Sequence, residues 1–415
     1  MMSGMTLLQA NPRPWLGACS VAESIGDSMG RTLLAIVAVD VVGAGAGLVG
    51  VLNSAGMVAF LLLGVPLGLW VDRVGRPAGF MTVGTLVRAA LALSALLAWW
   101  AGVLHSAVGV VLLVGVALGV GVADVAFTTG QGVLIPALVP QVDVRRLYGL
   151  VQTWTRTGSV IGTLCLPLAL AVVAPPAVWL LVGMAYLASV LIQRGIKVPE
   201  SAAETRSDGL RPSLWHRMRS GTGHLLREPT LRRITAANML VNAAVMCANT
   251  LVPVIALTVL DLEPSVYALV GIGGALAGIA GAALSHRLGE CLGLRAARLL
   301  AALAMAVGAA LVMCCGVVVD WLPGNAAVWL TINSALAGFF TSLAVVLGAD
   351  LVPALTPSRK LGVVLGAQRT LVLGSMPVAA LLTGALSGLV GTANTTWLWL
   401  LLLVASVLPI LRLNR

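Results

Sequence analysis

The chain has 415 residues, of which 59% are apolar and only 10% charged, and its mean hydropathy is +1.02. Soluble domains carry about 25% charged residues, so these values exclude an ordinary globular protein in water. The formal charge of +10 does not call for a nucleic-acid partner, because the basic residues fall mainly in turns between apolar runs.

Runs of about 20 apolar residues read as membrane-spanning helices. Twelve such runs follow one another, at roughly 16–42, 47–71, 78–103, 106–135, 146–173 and 176–194, then 231–258, 265–285, 293–319, 325–350, 359–390 and 394–413. The first follows Arg13 and Pro14 and is too long for a secretory leader. It carries Glu23, Asp27 and Arg31 at intervals of four, on one helical face. The second runs into "GLWVDRVGRP" (68–77), a concentration of charge in one short connection. Span three holds Arg88 and span four Asp124, followed by "TTGQG" (128–132); span five holds Gln152 and Arg156. The polar stretch 194–229 reads as a linker between a first domain, 1–193, and a second, 230–415. Span seven presents Asn238, Asn242 and Asn249 as a polar stripe, and span eleven contains Arg369. The six cysteines form no C-x-x-C and have no histidine at metal-ligand spacing, so they are expected to be small apolar residues.

Basic residues occupy alternate connections only. Arg73, Arg76, Arg145, Arg146, the 194–233 cluster, Arg287, Arg295, Arg359 and Lys360 follow even-numbered spans, and the other short connections carry none. The positive-inside rule makes the basic connections cytoplasmic. Both termini are then cytoplasmic, as an even number of spans requires. Tryptophans such as Trp15, Trp70, Trp99 and Trp321 cluster at the expected interfaces. Arginine outnumbers lysine 23 to 2, a usage of GC-rich bacterial genomes, and the expected location is the bacterial cytoplasmic membrane.

The two halves repeat one another. Gly64, Arg73 and Gly75 match Gly278, Arg287 and Gly289 at an offset of 214, and "LVPQVDVRRL" (138–147) returns as "LVPALTPSRKL" (351–361). A shift of 215 lays Glu23 and Asp27 over Asn238 and Asn242. Two parallel repeats with a central site are a transporter architecture.

In these features the chain resembles the major facilitator superfamily. Gly68, Asp72, Arg73, Gly75 and Arg76 match that family's loop motif, G-x-x-x-D-R-x-G-R, position by position. The resemblance implies an all-α membrane protein of twelve transmembrane helices in two pseudo-symmetric six-helix bundles, with spans one, four, seven and ten lining a central cavity. It also implies that Asp72 meets the N-terminal end of span eleven, near Ser358, in one conformation only, making Gly68, Asp72, Arg73, Gly75 and Arg76 a conformational gate. A narrower resemblance, to drug and siderophore exporters, rests on "SIGDSM" (24–29), the "LVP" closing span four and the pair Gly158 and Gly162. Thr163 stands where that branch has proline.

Ionisable groups at membrane depth are costly and usually functional. Asp27, then Glu23 and Asp124, are the expected proton-coupling residues; the alternative is a static pair with Arg31 or Arg156 that fixes helix packing. Arg31, Asn53, Gln152, Arg156, Asn238, Asn242 and Asn249 are the expected substrate contacts. Arg88, on a helix that is peripheral in this fold, is expected to be structural. Gly158-x-x-x-Gly162, Gly274-x-x-x-Gly278 and Gly362-x-x-x-Gly366 read as surfaces on which the halves slide, and equally as ordinary close packing of helices. The expected activity is proton-driven efflux of an amphipathic small molecule by alternating access, with an anionic siderophore exporter or a proton-coupled importer as alternatives. The expected partners are substrate, protons and lipid, with no nucleic acid and a monomeric chain. No enzymatic role, metal or cofactor is expected: all four histidines lie in loops or span ends, and no phosphate-binding G-x-x-x-x-G-K-[ST] occurs.

Overall fold

The structure is a computed structural model, which describes residues 12–74, 76–139, 141–196, 222–348, 351–356 and 361–413. In the first half of the chain, helices α1 (Pro12–Ile36), α2 (Ala46–Val74), α3 (Pro77–Trp100), α4 (Ala107–Leu138), α5 (Gln141–Leu170) and α6 (Trp179–Gln193) follow in order. The second half holds α7 (Pro229–Val254), α8 (264–292), α9 (294–314), α10 (Ala326–Gly348), α11 (Leu361–Val390) and α12 (Thr392–Leu411). With no water in the bilayer core, a helix satisfies its own backbone groups, and apolar sequence of this length takes that form.

Nine described helices are long and apolar enough to cross a membrane. One of them, Pro264–Cys314, is 51 residues long and breaks at Gly293, whose φ of 72° and ψ of 161° are open mainly to glycine; it makes two crossings, α8 and α9. Helices α1 and α5 have spanning length too, but charged residues lower their hydropathy. Prolines start α3, α7 and the α8–α9 pair, where a missing N–H costs nothing. Ser106 caps α4 by accepting from the Gly109 amide at 3.3 Å.

The repeat seen in sequence reappears in the backbone. Helices α1 and α7 both end in a five-residue π turn, Val37–Val41 and Ile255–Val259. The Val42 amide donates to the Val37 carbonyl and that of Leu260 to Ile255; Ala44 donates to Ala38 and Leu262 to Ala256. These equivalent bonds lie 218 positions apart, close to the offset of the sequence matches.

The helices form two compact units. The first comprises Met1–Leu33, Leu62–Leu166 and Val173–Asp208, and the second Leu34–Leu61, Pro167–Val172 and Gly209–Arg415. Sequence halves, 1–193 and 230–415, thus differ from units of compactness in where Leu34–Leu61 and Pro167–Val172 are grouped.

In the first unit α3 packs against α4 and α6, around a core that includes Leu16, Met81, Phe127, Leu134 and Leu147. Helix α5 lies directly on α1. A Cβ at Gly158 would strike the Val21 carbonyl oxygen, and one at Gly162 would lie 2.7 Å from the Ile25 oxygen. In the second unit α10 packs along the α8–α9 pair, and α7 against α11 and α12. There Gly274 backs onto Ser334, and Gly278 and Gly338 leave α8 and α10 in close contact. These glycines serve packing inside one unit, the second of the two expected roles. A small side chain marks a face that admits a neighbour but does not say which neighbour. At Gly366 a Cβ would meet nothing within 4 Å among the described residues.

Also within the second unit, Val39, Ala46 and Val49 share a buried cluster with Ala244, Cys247, Leu251 and Val254 of α7. The early part of α2 meets α11 there, where a Cβ at Gly50 would lie 2.5 Å from the Ala380 oxygen.

Candidate functional site

Three helices of the first unit bring five ionisable side chains into one chain of contacts. The face of α1 supplies Glu23, Asp27 and Arg31; α3 supplies Arg88 and α4 Asp124. Arg88 is the hub. Its Nη1 donates to Glu23 Oε1 at 2.7 Å, and its Nη2 to Asp124 Oδ1 at 2.7 Å. From the other oxygen of Asp124 the chain continues to Arg31 Nη2 at 3.5 Å. Arg31 Nε in turn donates to both oxygens of Asp27, at 2.9 and 3.0 Å.

Exposure is graded along this chain. Side-chain exposure is 1% at Arg88 and 5% at Glu23, 24% at Asp124, 29% at Asp27 and 51% at Arg31. The guanidinium of Arg88 lies 5.4 Å from the Phe127 ring centroid and 5.7 Å from that of Tyr186, within cation–π range. Tyr186 approaches because Gly26 of α1 has no side chain: a Cβ there would sit 2.9 Å from the ring.

The buried end is held by a polar layer from α3 and α6. Thr85 Oγ1 donates toward Glu23, 3.3 and 3.2 Å from its two oxygens, and Gln193 Nε2 donates to Thr85 at 3.0 Å. Gln193 also accepts from Thr82 at 2.8 Å and donates to Ser189 at 3.1 Å. Glu23 therefore faces donors on two sides. Asp27, at the other end, has Arg31 as its hydrogen-bond partner and borders exposed surface. If all five groups are ionised, three carboxylates stand against two guanidiniums, and the cluster carries one excess negative charge.

Sequence reasoning put Glu23, Asp27 and Arg31 on one face of α1 and Asp124 at a similar depth, and the structure joins all four. It treated Arg88 as peripheral, and the structure places it at the centre; its signal was an arginine in mid-span, which is rare without a carboxylate partner. The other expected residues lie elsewhere. Gln152 and Arg156 are exposed on α5, outside the ionic chain. In the second unit Asn53 donates to the Asn249 carbonyl oxygen and to Thr250 Oγ1, both at 3.3 Å, and so ties α2 to α7. Asn242 donates to the Asn238 carbonyl at 2.8 Å, one turn back in its own helix. The side chain of Asn238 accepts from Arg298 Nη1 of α9 at 3.0 Å. Arg298 was missed, although it stands five residues inside predicted span 293–319.

Of the motif residues, Gly68, Asp72 and Arg73 fall within α2, which reaches Val74. Their side chains, and Gly75 altogether, lie outside the described residues. Arg76 is described; it is exposed and precedes Pro77 at the start of α3. Among the described residues no group of three His, Cys, Asp or Glu could hold a metal ion.

Comparison with known proteins agrees with this architecture. The profile of the Major Facilitator Superfamily matches residues 16–367. Among solved structures, the nucleoside transporter NupG is similar with a TM-score of 0.70 at 13% identity, covering 97% of this chain and 98% of that one. A bacterial homologue of the iron transporter ferroportin, in its inward-facing state, gives 0.71 at 14% identity, with 97% and 98% covered. A bacterial homolog of the human lysosomal transporter Spinster, inward-facing and unoccupied, gives 0.64 at 13% identity, with 97% and 95% covered. At such identities the likeness is one of fold. No curated protein matches the chain.

Proposed function

The chain belongs to the Major Facilitator Superfamily, and from that premise we propose that this multi-pass secondary transporter couples proton movement to the export of an amphipathic small molecule by alternating access. The observation that carries the coupling is the excess carboxylate in the Glu23–Arg88–Asp124–Arg31–Asp27 chain. A cluster with three acids and two guanidiniums becomes neutral by taking up one proton, and a low-dielectric site favours the neutral form. Asp27 is the carrier in this reading. It ends the chain, its carboxylate borders exposed surface, and losing its charge breaks one ion pair without stranding Arg88. Glu23, boxed in by Arg88 and Thr85, anchors the hub. Asp124 links the anchor to the carrier.

Amphipathic cargo and outward direction rest on the exporter-like features of α1 and α5, "SIGDSM" and the glycine pair. Gln152 and Arg156, exposed on α5, remain substrate contacts in this reading.

The test is a panel of cationic, neutral and anionic amphipathic compounds, scored as growth protection in an efflux-deficient host. The parent chain should protect against at least one compound. Asp27→Asn should abolish that protection at unchanged membrane abundance. In proteoliposomes, pH-gradient-driven flux of the protected compound should disappear with it. Equal gradient-driven flux in parent and variant refutes Asp27 as the carrier, and a parent that protects against nothing refutes export.

A further inference from the structure

The second unit contains a buried guanidinium wired like Arg88 but without its carboxylates. Arg298 stands on α9, the third helix of its half, as Arg88 stands on α3. Each donates Nη1 to the first helix of its own half: Arg88 to Glu23 Oε1 at 2.7 Å, Arg298 to Asn238 Oδ1 at 3.0 Å. Glu23 and Asn238 are also the residues that the internal repeat superposes. The wiring is retained and the counter-charge is replaced by an amide.

Arg298 is 5% exposed. Its second bond is from Nη2 to the Ala344 carbonyl of α10 at 3.4 Å, and among the described residues its Nε has no hydrogen-bond partner. An arginine offers five donors, and here they meet two neutral acceptors and, among the described residues, no carboxylate within ion-pair distance. The missing side chain of Gly348 lets the guanidinium itself sit against α10: a Cβ there would lie 2.5 Å from Nη2. Burying a charge without a partner is costly, and a guanidinium with donors to spare is suited to a ligand of opposite sign.

We propose that Arg298, with Asn238, recognises an oxyanion, a carboxylate on the transported molecule. The proposal rests on the reading of the chain as a small-molecule transporter and narrows its substrate class to organic acids. The forked guanidinium suits two carboxylate oxygens, with Nε and one Nη as the donors. Asn238, half-buried on α7, gives way as the interim acceptor and turns its amide N–H toward the same anion. The two buried arginines then mark sites of opposite appetite. The α1–α3–α4 cluster lacks one positive charge, which a proton supplies; the α7–α9–α10 position lacks one negative charge, which the cargo supplies.

The test is thermal unfolding of the purified full chain in detergent, with sodium benzoate as the probe against sodium chloride of equal ionic strength. Benzoate should raise the melting temperature of the parent and of Arg232→Gln, an exposed arginine at the start of α7. It should leave Arg298→Gln unmoved. Without benzoate, Arg298→Gln should melt above the parent, because it removes an uncompensated charge. Arg298→Lys, a point charge without the fork, should show a weakened benzoate response. The proposal is overturned if Arg298→Gln responds to benzoate as the parent does, or if benzoate stabilises none of the proteins. It is overturned too if, without benzoate, Arg298→Gln melts below the parent, which would show that the charge is already compensated. No proton gradient enters the measurement, so its outcome is separate from that of Asp27.

Discussion

At the scale of single residues, the ionic chain separates groups that hold structure from groups free to change charge. Removing one member of a buried pair leaves the other charged and unpaired, at about 3–5 kcal/mol. Arg88→Gln strands Glu23, which is 5% exposed, and frees Asp124 at the same time. Its melting temperature should fall sharply. Replacing Glu23 and Arg88 together by Leu and Met should recover most of that loss, since an apolar pair of similar volume avoids desolvation altogether. A double variant that melts as low as Arg88→Gln would show that the hub matters through Asp124 rather than Glu23. Asp27→Asn should behave differently: its partner Arg31 is 51% exposed, so stability should change little while coupling is lost. The sequence showed charges spaced along α1 at helical intervals, and this was enough to group three of the five residues. It could not show that Arg88 turns inward, because rotation of α3 about its axis is decided by what α4 and α6 offer. Phe127, Tyr186 and Asp124 together make the favourable side.

Between helices, the contacts that matter are those where backbone meets backbone. Gly158→Ala places a methyl group against the Val21 carbonyl, and α1 can yield only by moving away from α5. Overpacking of this kind costs about 1–3 kcal/mol. Gly366→Ala, with nothing within 4 Å among the described residues, should instead gain from helix propensity, by up to about 1 kcal/mol. Melting curves of the two variants should therefore shift in opposite directions, and equal shifts would remove the packing argument. The helices themselves were legible because hydropathy over 20 residues is a strong signal. Their partners were not, because Gly158 and Gly366 sit in the same spacing pattern and only one of them is covered. The kink at Gly293 was legible only as a gap between two runs. Asn53 is a case between the two. It is expected to meet substrate, and its amide bonds α7 at Asn249 and Thr250. Asn53→Ala should loosen that junction, seen as faster amide exchange in the Ile255–Val259 turn.

For the molecule as a whole, the loop motif poses the remaining electrostatic question. Helix α2 continues to Val74, so Asp72 lies in its last turn, where the helix dipole is negative. A carboxylate there costs its own helix about 0.3–1 kcal/mol, whereas Arg73 is well placed. Viewed locally, Asp72→Asn should be neutral or slightly stabilising. A residue that is unfavourable to its own helix is useful if it contributes to one conformation of a two-state protein and not to the other. A bias of 1–2 kcal/mol changes such an equilibrium by about 5- to 30-fold. The gate reading therefore expects Asp72→Asn to fold as well as the parent, turn over more slowly, and shift the balance of cysteine labelling between the two membrane faces. Asp72→Glu, which keeps the charge, should restore part of the turnover. If the asparagine variant labels identically from both faces and transports at the parental rate, the motif is only an anchor for basic residues at the membrane surface. Alternation would then be governed by the junctions inside the second unit, where α2 meets α7 and α11.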